Sequence, residues 1–390
     1  MEEYIVYLFY LAVLLILGII ITAICQKLKI SNILFLVLAG YLLKTAGLDY
    51  FNNDIILVLS SLALIIIVLE TTMRVDLLHI VKNFINVLKF NIVYLIVSSY
   101  VMTLAIYLIF DFPGKGFEVF ALCLLLSLII YGVDPTISME FFHDKKTKIK
   151  EMLEIEGFIS GPIVVIFSFF IINYISEPLA FSAPSVFLSL WNIVNPIITA
   201  LLIGVVMAYI FYKFTTHFNI TKELNALLII SLGISVFVLG EFTGANGSIA
   251  VAVYGIFLRG LTKQRMPKET TSLIAHILFI IVFILFGVEF FFPELGFWLK
   301  GISLFVFYLL LRFMCIMLFM KDLIWKEKFF MTLNVAKGIE VALVLFIMKL
   351  NFSNISGINL ILGLGYMFFI LSYILSTLIN HFNHYFITED

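Results

Sequence analysis

Long stretches of Leu, Ile, Val and Phe run along the chain, broken only by short polar intervals, and most are apolar on every side. Segments of that kind belong to helices surrounded by hydrocarbon or by other apolar helices. A crossing takes about 20 apolar residues, fewer where a helix is broken. On that basis the pattern predicts thirteen helices, at about 4–25, 30–45, 54–72, 85–110, 117–142, 153–175, 185–212, 223–241, 246–260, 270–292, 299–320, 329–350 and 357–381. The second and ninth are short, and each is flanked by Gly or Asn. The first run lacks a basic leader and a small-residue cleavage pattern, so it is expected to be a retained spanning helix and not a signal peptide.

Composition agrees with this reading. Hydrophobic residues make up 63% of the 390 positions and charged ones 13%, and the mean hydropathy is +1.16. Soluble domains are roughly half apolar and about a quarter charged, so the chain is expected to be an all-α polytopic membrane protein embedded in a lipid bilayer. The net charge of −1 and the dispersed basic residues give no footprint for nucleic acid. They follow topology instead. Seventeen Lys and Arg fall in loops on one side of the thirteen-helix scheme, four on the other, and Lys89, Arg312 and Lys337 lie inside spans. Basic loops face the cytoplasm, which puts the N-terminus outside and the C-terminus in the cytoplasm of a multi-pass plasma-membrane protein. Cys25, Cys123 and Cys315 have no metal-ligand spacing.

Thirteen spans divide as six, a linker and six, and a single linker inverts the second half relative to the first. Inverted repeats are a common transporter architecture, with sites where discontinuous helices cross at mid-membrane. The fifth helix of each half carries a charge beside a helix breaker: Asp134 before Pro135 in "YGVDPTI", and Lys337 before Gly338 in "NVAKGIEVA". Pro135 frees carbonyls one turn back, which only protein, an ion or cavity water can satisfy inside a bilayer.

At about 1.5 Å per helical residue, Asp134, Ser160 and Lys337 all lie roughly 13–17 Å from the nearest basic loop, near the midplane of a core about 30 Å thick. Glu156 is one turn shallower and shares a face with Ser160. Ionisable groups at such depth mark function. Lys337 either bridges to Glu340 on its own helix or pairs across helices with Glu156 or Asp134, and a desolvated Lys can also give up its proton. Glu70, in "IIIVLETTMRVDLL", is either interfacial or the lining of a funnel. Arg312 is expected to pair or snorkel.

In this order and spacing the motifs resemble the monovalent cation/proton antiporter superfamily, of the sodium/hydrogen exchanger type and closest to the archaeal NhaP-like antiporters. "LAGYLL" resembles the second-helix motif, and "LETTMRVDL" the acidic run after the third helix. "GVDPT" is similar to the Thr-Asp-Pro of a broken fifth helix, and "EIEGFISGP" to the Glu-Ser-x-x-Asn-Asp-Pro of the sixth. "LGEFTGANGSIAVAVYGIFL", "FILFGVEF" and "AKGIEVAL" resemble the ninth-, tenth- and twelfth-helix regions.

The resemblance implies a homodimer, with scaffold and dimerisation helices at about 1–83 and 185–292 and an ion-translocating core at about 84–175 and 299–381. It implies alternating access, with one site binding either a proton or a monovalent cation, Na⁺ first and K⁺ second. Asp134, Glu156 and, by position, Glu70 carry over as ion or proton ligands, with Asp134 and Ser160 the candidates to hold Na⁺. Three positions depart from the pattern: Val133 replaces Thr, Ser160 replaces Asn, and Lys337 replaces Arg. A fourth departure matters most, because the family's central acid falls at Gly161. The alternative expectation is therefore a non-exchanging or altered-substrate paralogue, a sensor or passive pathway on the same scaffold. No HExxH, GxSxG nucleophile pattern or catalytic aspartate pair occurs, so neither enzymatic activity nor a cofactor is expected.

Overall fold

The computed structural model describes residues 2–28, 30–47, 53–74, 77–112, 116–134, 148–176, 186–218, 221–262, 268–290, 294–355, 357–382 and 385–386, and all regular structure among them is helical. The helices are α1 (Glu2–Leu28), α2 (Ile33–Thr45), α3 (Asn53–Arg74), α4 (Leu77–Ile109), α5 (Phe117–Tyr131), α6 (Lys148–Ser176), α7 (Val186–Phe218), α8 (Lys222–Phe242), α9 (Gly247–Thr262), α10 (Lys268–Glu289), α11 (Leu295–Phe319), α12 (Trp325–Leu333), α13 (Ile339–Asn351) and α14 (Ile358–His381). These fourteen helices occupy the thirteen expected spans. The additional one arises because the twelfth span is split into α12 and α13. Among the described residues, six helices are long and apolar enough to cross a bilayer by length and composition alone. The short α2 and α9 stand where the sequence put short spans.

The distribution of polarity is inverted relative to a water-soluble protein. Phe242 is 86% exposed and Leu108 76%, whereas Glu156 and Lys337 are 1% exposed and Arg312 is fully buried. An apolar exterior suits lipid, and buried ionised groups require partners wherever they occur.

The chain forms two compact units. One comprises Met1–Asn53, Leu78–Ser168 and Phe283–Asp390. In it α14 packs against α2, α5, α11, α12 and α13. Phe286 on α10 lies 4.9 Å from the Tyr366 ring and 4.6 Å from that of Phe369, both on α14. The end of α10 also meets α2 backbone to backbone. A methyl group at Gly40 would run into the Ile284 carbonyl, and one at Gly287 into the Val37 carbonyl. Without a hydrophobic drive between helices in lipid, such close approach supplies the packing attraction. The second unit comprises Asp54–Leu77 and Phe169–Val282. Here Gly204 on α7 fits against Ala250 and Tyr254 on α9, and Glu241 Oε1 accepts a 2.9 Å hydrogen bond from Gly247 N, capping α9.

Gly287→Leu is expected to force α2 and α10 apart and to cost at least about 1–3 kcal/mol, the range for overpacking. A lowered unfolding midpoint in detergent would register it. Gly296→Ala, where no described residue beyond its own helix lies within 4 Å of the added methyl, should leave the midpoint unchanged or slightly raised.

Candidate functional site

The site is built where two stretches of non-helical backbone meet. α5 stops at Tyr131, and Gly132 continues extended (φ −58°, ψ 139°). Asp134 precedes Pro135, and a residue before proline is disfavoured in the helical region. Pro135 and residues 136–147 lie outside the described residues, so the second half of the fifth span does too. In the other half of the chain, residues 334–338 are non-helical between α12 and α13, ending at Gly338 (φ −81°, ψ −177°).

Peptide groups freed by these breaks must find partners inside the protein. Asp134 N donates to Ala336 O at 2.8 Å, tying one break directly to the other. Val335 N donates to Ser376 Oγ at 3.0 Å, and the Tyr373 hydroxyl donates to Lys337 O. Asn334 is held by Asn380 Nδ2 at 2.7 Å and donates back to Phe330 O. On the facing side, Ser160 Oγ of α6 donates to Val133 O (3.1 Å) and accepts from Val133 N (3.3 Å).

Two buried cations close the exposed helix ends. Lys337 Nζ donates to Ile130 O, to Gly132 O (2.8 Å) and to the Tyr308 hydroxyl (3.0 Å), so an ammonium sits on the last carbonyls of α5. Arg312 Nη2 donates to Met331 O at 3.1 Å, in the last turn of α12. A positive charge at a helix C-terminus opposes the negative end of its dipole. Arg312 also grips Glu156 through both guanidinium nitrogens, at 2.5 and 2.9 Å. Its guanidinium lies 5.7 Å from the Phe90 ring and 5.5 Å from that of Tyr94. Tyr131 of α5 donates to Asn91 Oδ1 at 2.7 Å, tying α5 to α4 beside this pair.

The sequence-derived candidates therefore separate. Asp134, Ser160, Lys337 and Glu340 gather at the crossing of the breaks, in one compact unit. Glu156 is buried beside them with both carboxylate oxygens engaged by Arg312, a partner that spacing along the chain did not single out. Among the described residues, Lys337 forms no ion pair with Glu340. The Glu340 carboxylate instead folds back over Gly338 toward its own backbone N–H, and Asp134 and Lys337 are the charged groups that act on it. A Cβ at Gly161 would lie 3.6 Å from Glu340 Oε1. Glu70 lies on α3, but its side chain is outside the described residues. A separate cavity of about 310 Å³, lined by Lys44, Glu289, Lys349, Asn359, Leu362 and Tyr366, lies toward the far end of α13.

The geometry matches known proteins along its full length. The sequence profile of the family described as "Sodium/hydrogen exchanger, transmembrane" covers residues 11–382. The chain is similar to the sodium proton antiporter MjNhaP1 from Methanocaldococcus jannaschii at pH 8, with a TM-score of 0.74 and 18% identity over 98% of this chain and 99% of that one. The electron-microscopy structure of the same antiporter gives 0.76 and 17% over 100% of both chains. The Na(+)/H(+) antiporter NhaG of Bacillus atrophaeus is 28% identical over 155 residues, 38% of this chain, and the chain spans only 29% of that relative's length.

Removing one member of the Glu156–Arg312 pair leaves the other charge buried alone, which costs about 3–5 kcal/mol. Glu156→Gln and Arg312→Gln are each expected to lower the unfolding midpoint strongly. The double variant should lose much less than the sum of the two, because residues in contact are not additive. A double-mutant cycle by thermal unfolding in detergent measures this, and additive losses would show that the two side chains act independently.

Proposed function

The chain belongs to the sodium/hydrogen exchanger family, and from that premise we propose that it exchanges a monovalent cation, Na⁺ first and K⁺ second, for protons by alternating access. The observation that carries this reading is the crossing itself. Asp134 N bonds Ala336 O between two broken helices, with Lys337 and Ser160 beside it. A carboxylate held at such a point binds either a monovalent cation or a proton, and the two compete for it. Moving an uncompensated carboxylate through a low-dielectric barrier costs several kcal/mol. The mobile part therefore reorients readily only after Asp134 has taken up one or the other. Lys337 and Arg312 neutralise helix ends without competing for the ion, because each is committed to carbonyls.

In this reading the core comprises about 84–175 and 299–381, and the scaffold, which also makes the homodimer, about 1–83 and 185–292. One compact unit holds Leu78–Ser168 and Phe283–Asp390, which include most of the proposed core, together with Met1–Asn53, which the proposal assigns to the scaffold. The side of the basic loops supports a plasma-membrane orientation with the N-terminus outside. Ser160 contributes a neutral oxygen near the ion, and Glu156, fixed by Arg312, braces α6 against α11. A second reading, a non-exchanging or altered-substrate paralogue, is favoured by one observation, the glycine at position 161.

Purified protein in liposomes should dissipate an imposed pH gradient when Na⁺, Li⁺ or K⁺ is added, as followed with a pH-sensitive dye. Asp134→Asn should reduce the rate to that of empty liposomes. Silence of the wild type with all three cations would overturn exchange in favour of the second reading.

A further inference from the structure

Position 161 and residue 340 face each other. Gly161 is on α6, and among the described residues beyond its own helix the atoms within 4 Å of a Cβ placed there are the Glu340 Oε1 and Cδ, at 3.6 and 3.9 Å. An aspartate at 161 extends one carbon and two oxygens past that Cβ, and in a rotamer directed at α13 it would contend with the Glu340 carboxylate for the same space. The chain places a carboxylate on α13 and leaves α6 bare.

Three further features bear on what that carboxylate does. It sits in the first turn of α13, the positive end of the helix dipole, where an anion is favoured. Gly338 lacks the side chain that would exclude it, since a Cβ there would overlap both Glu340 oxygens. Lys337, the nearest cation along the chain, directs its hydrogen bonds to Ile130 O, Gly132 O and the Tyr308 hydroxyl. Among the described residues no cation stands in ion-pair range of Glu340. Glu156 and Arg312 pair with each other, and among the described residues Asp134 and Lys337 are the charged groups that act on the Glu340 carboxylate.

We propose that Glu340 is a direct ligand of the exchanged cation and proton, acting with Asp134 across the crossing, and that Gly161 provides the room it needs. The assignment rests on the exchange reading above. The groups that face Glu340 are Asp134 from the break after α5, Lys337 from its own break and the bare Gly161 face of α6. Its ion binding is therefore set by a carboxylate on one side and an ammonium on the other.

The test uses the full-length protein in liposomes, comparing wild type, Glu340→Gln, Glu340→Asp and the double variant Gly161→Asp/Glu340→Gln, with Na⁺ as the probe at external pH values from 5.5 to 9, roughly spanning the range over which a buried carboxylate can titrate. Glu340→Gln is expected to slow exchange at least tenfold, Glu340→Asp to keep exchange with a raised half-saturating Na⁺ concentration and a displaced pH profile, and the double variant to recover at least about a third of the wild-type rate.

Unchanged rate, half-saturation and pH profile in Glu340→Gln, with an active wild type, would overturn the assignment and leave the exchange reading standing. So would a folded Glu340→Gln that is inactive while both Glu340→Asp and the double variant are inactive as well, since a purely structural role predicts that pattern. Should Glu340→Gln not fold, the double variant decides by itself: recovered exchange supports the assignment, and its absence overturns it. A wild type silent with every cation removes the exchange reading and this assignment with it.

Discussion

A backbone hydrogen bond from Asp134 N to Ala336 O joins the two non-helical stretches on which the site is built. In hydrocarbon an unpaired peptide group costs several kcal/mol. Each break supplies a partner to the other, and Ser160, Ser376, Tyr373 and Lys337 satisfy further peptide groups. Everything with functional character in the described residues is arranged around this contact. The breaks create helix ends, the ends create local charge, and the charge calls for compensation.

Two kinds of charge occupy the crossing, and burial separates them. Arg312 and Glu156 are locked in a bidentate pair, fully buried under the rings of Phe90 and Tyr94, and Arg312 also caps α12. A buried pair of this kind is costly to break, so it serves as a fixed brace between α6 and α11. Lys337 is similarly committed to the end of α5. Glu340 differs, because no cation among the described residues stands in ion-pair range of it, and Asp134 and Lys337 are the charged groups that act on it. A carboxylate held in that way suits a transporter better than a purely structural bridge.

Much of this is legible in the sequence. The thirteen spans, including the short second and ninth, follow from run lengths and breakers, and the split twelfth span was marked by Lys337 next to Gly338. Helical rise alone sets Asp134, Ser160 and Lys337 at one level, and the structure brings all three to one crossing. Pairing was much less legible. Glu156 and Arg312 are separated by 156 positions, and nothing in either segment names the other. Spacing also allows Lys337 to bridge to Glu340, three residues away. The carbonyls at the end of α5 became its partners only because α5 stops beside it.

The sequence by itself determined the environment and the breaks: an apolar exterior for lipid, charges that must be compensated, and helices that must stop at Asp134-Pro135 and Lys337-Gly338. These are local consequences of side-chain transfer energies and backbone sterics. The tertiary structure alone decided which charge compensates which, and that the vacancy at Gly161 faces the carboxylate of Glu340. That decision depends on how α6 and α13 approach each other, a distance set by packing between segments far apart in the chain.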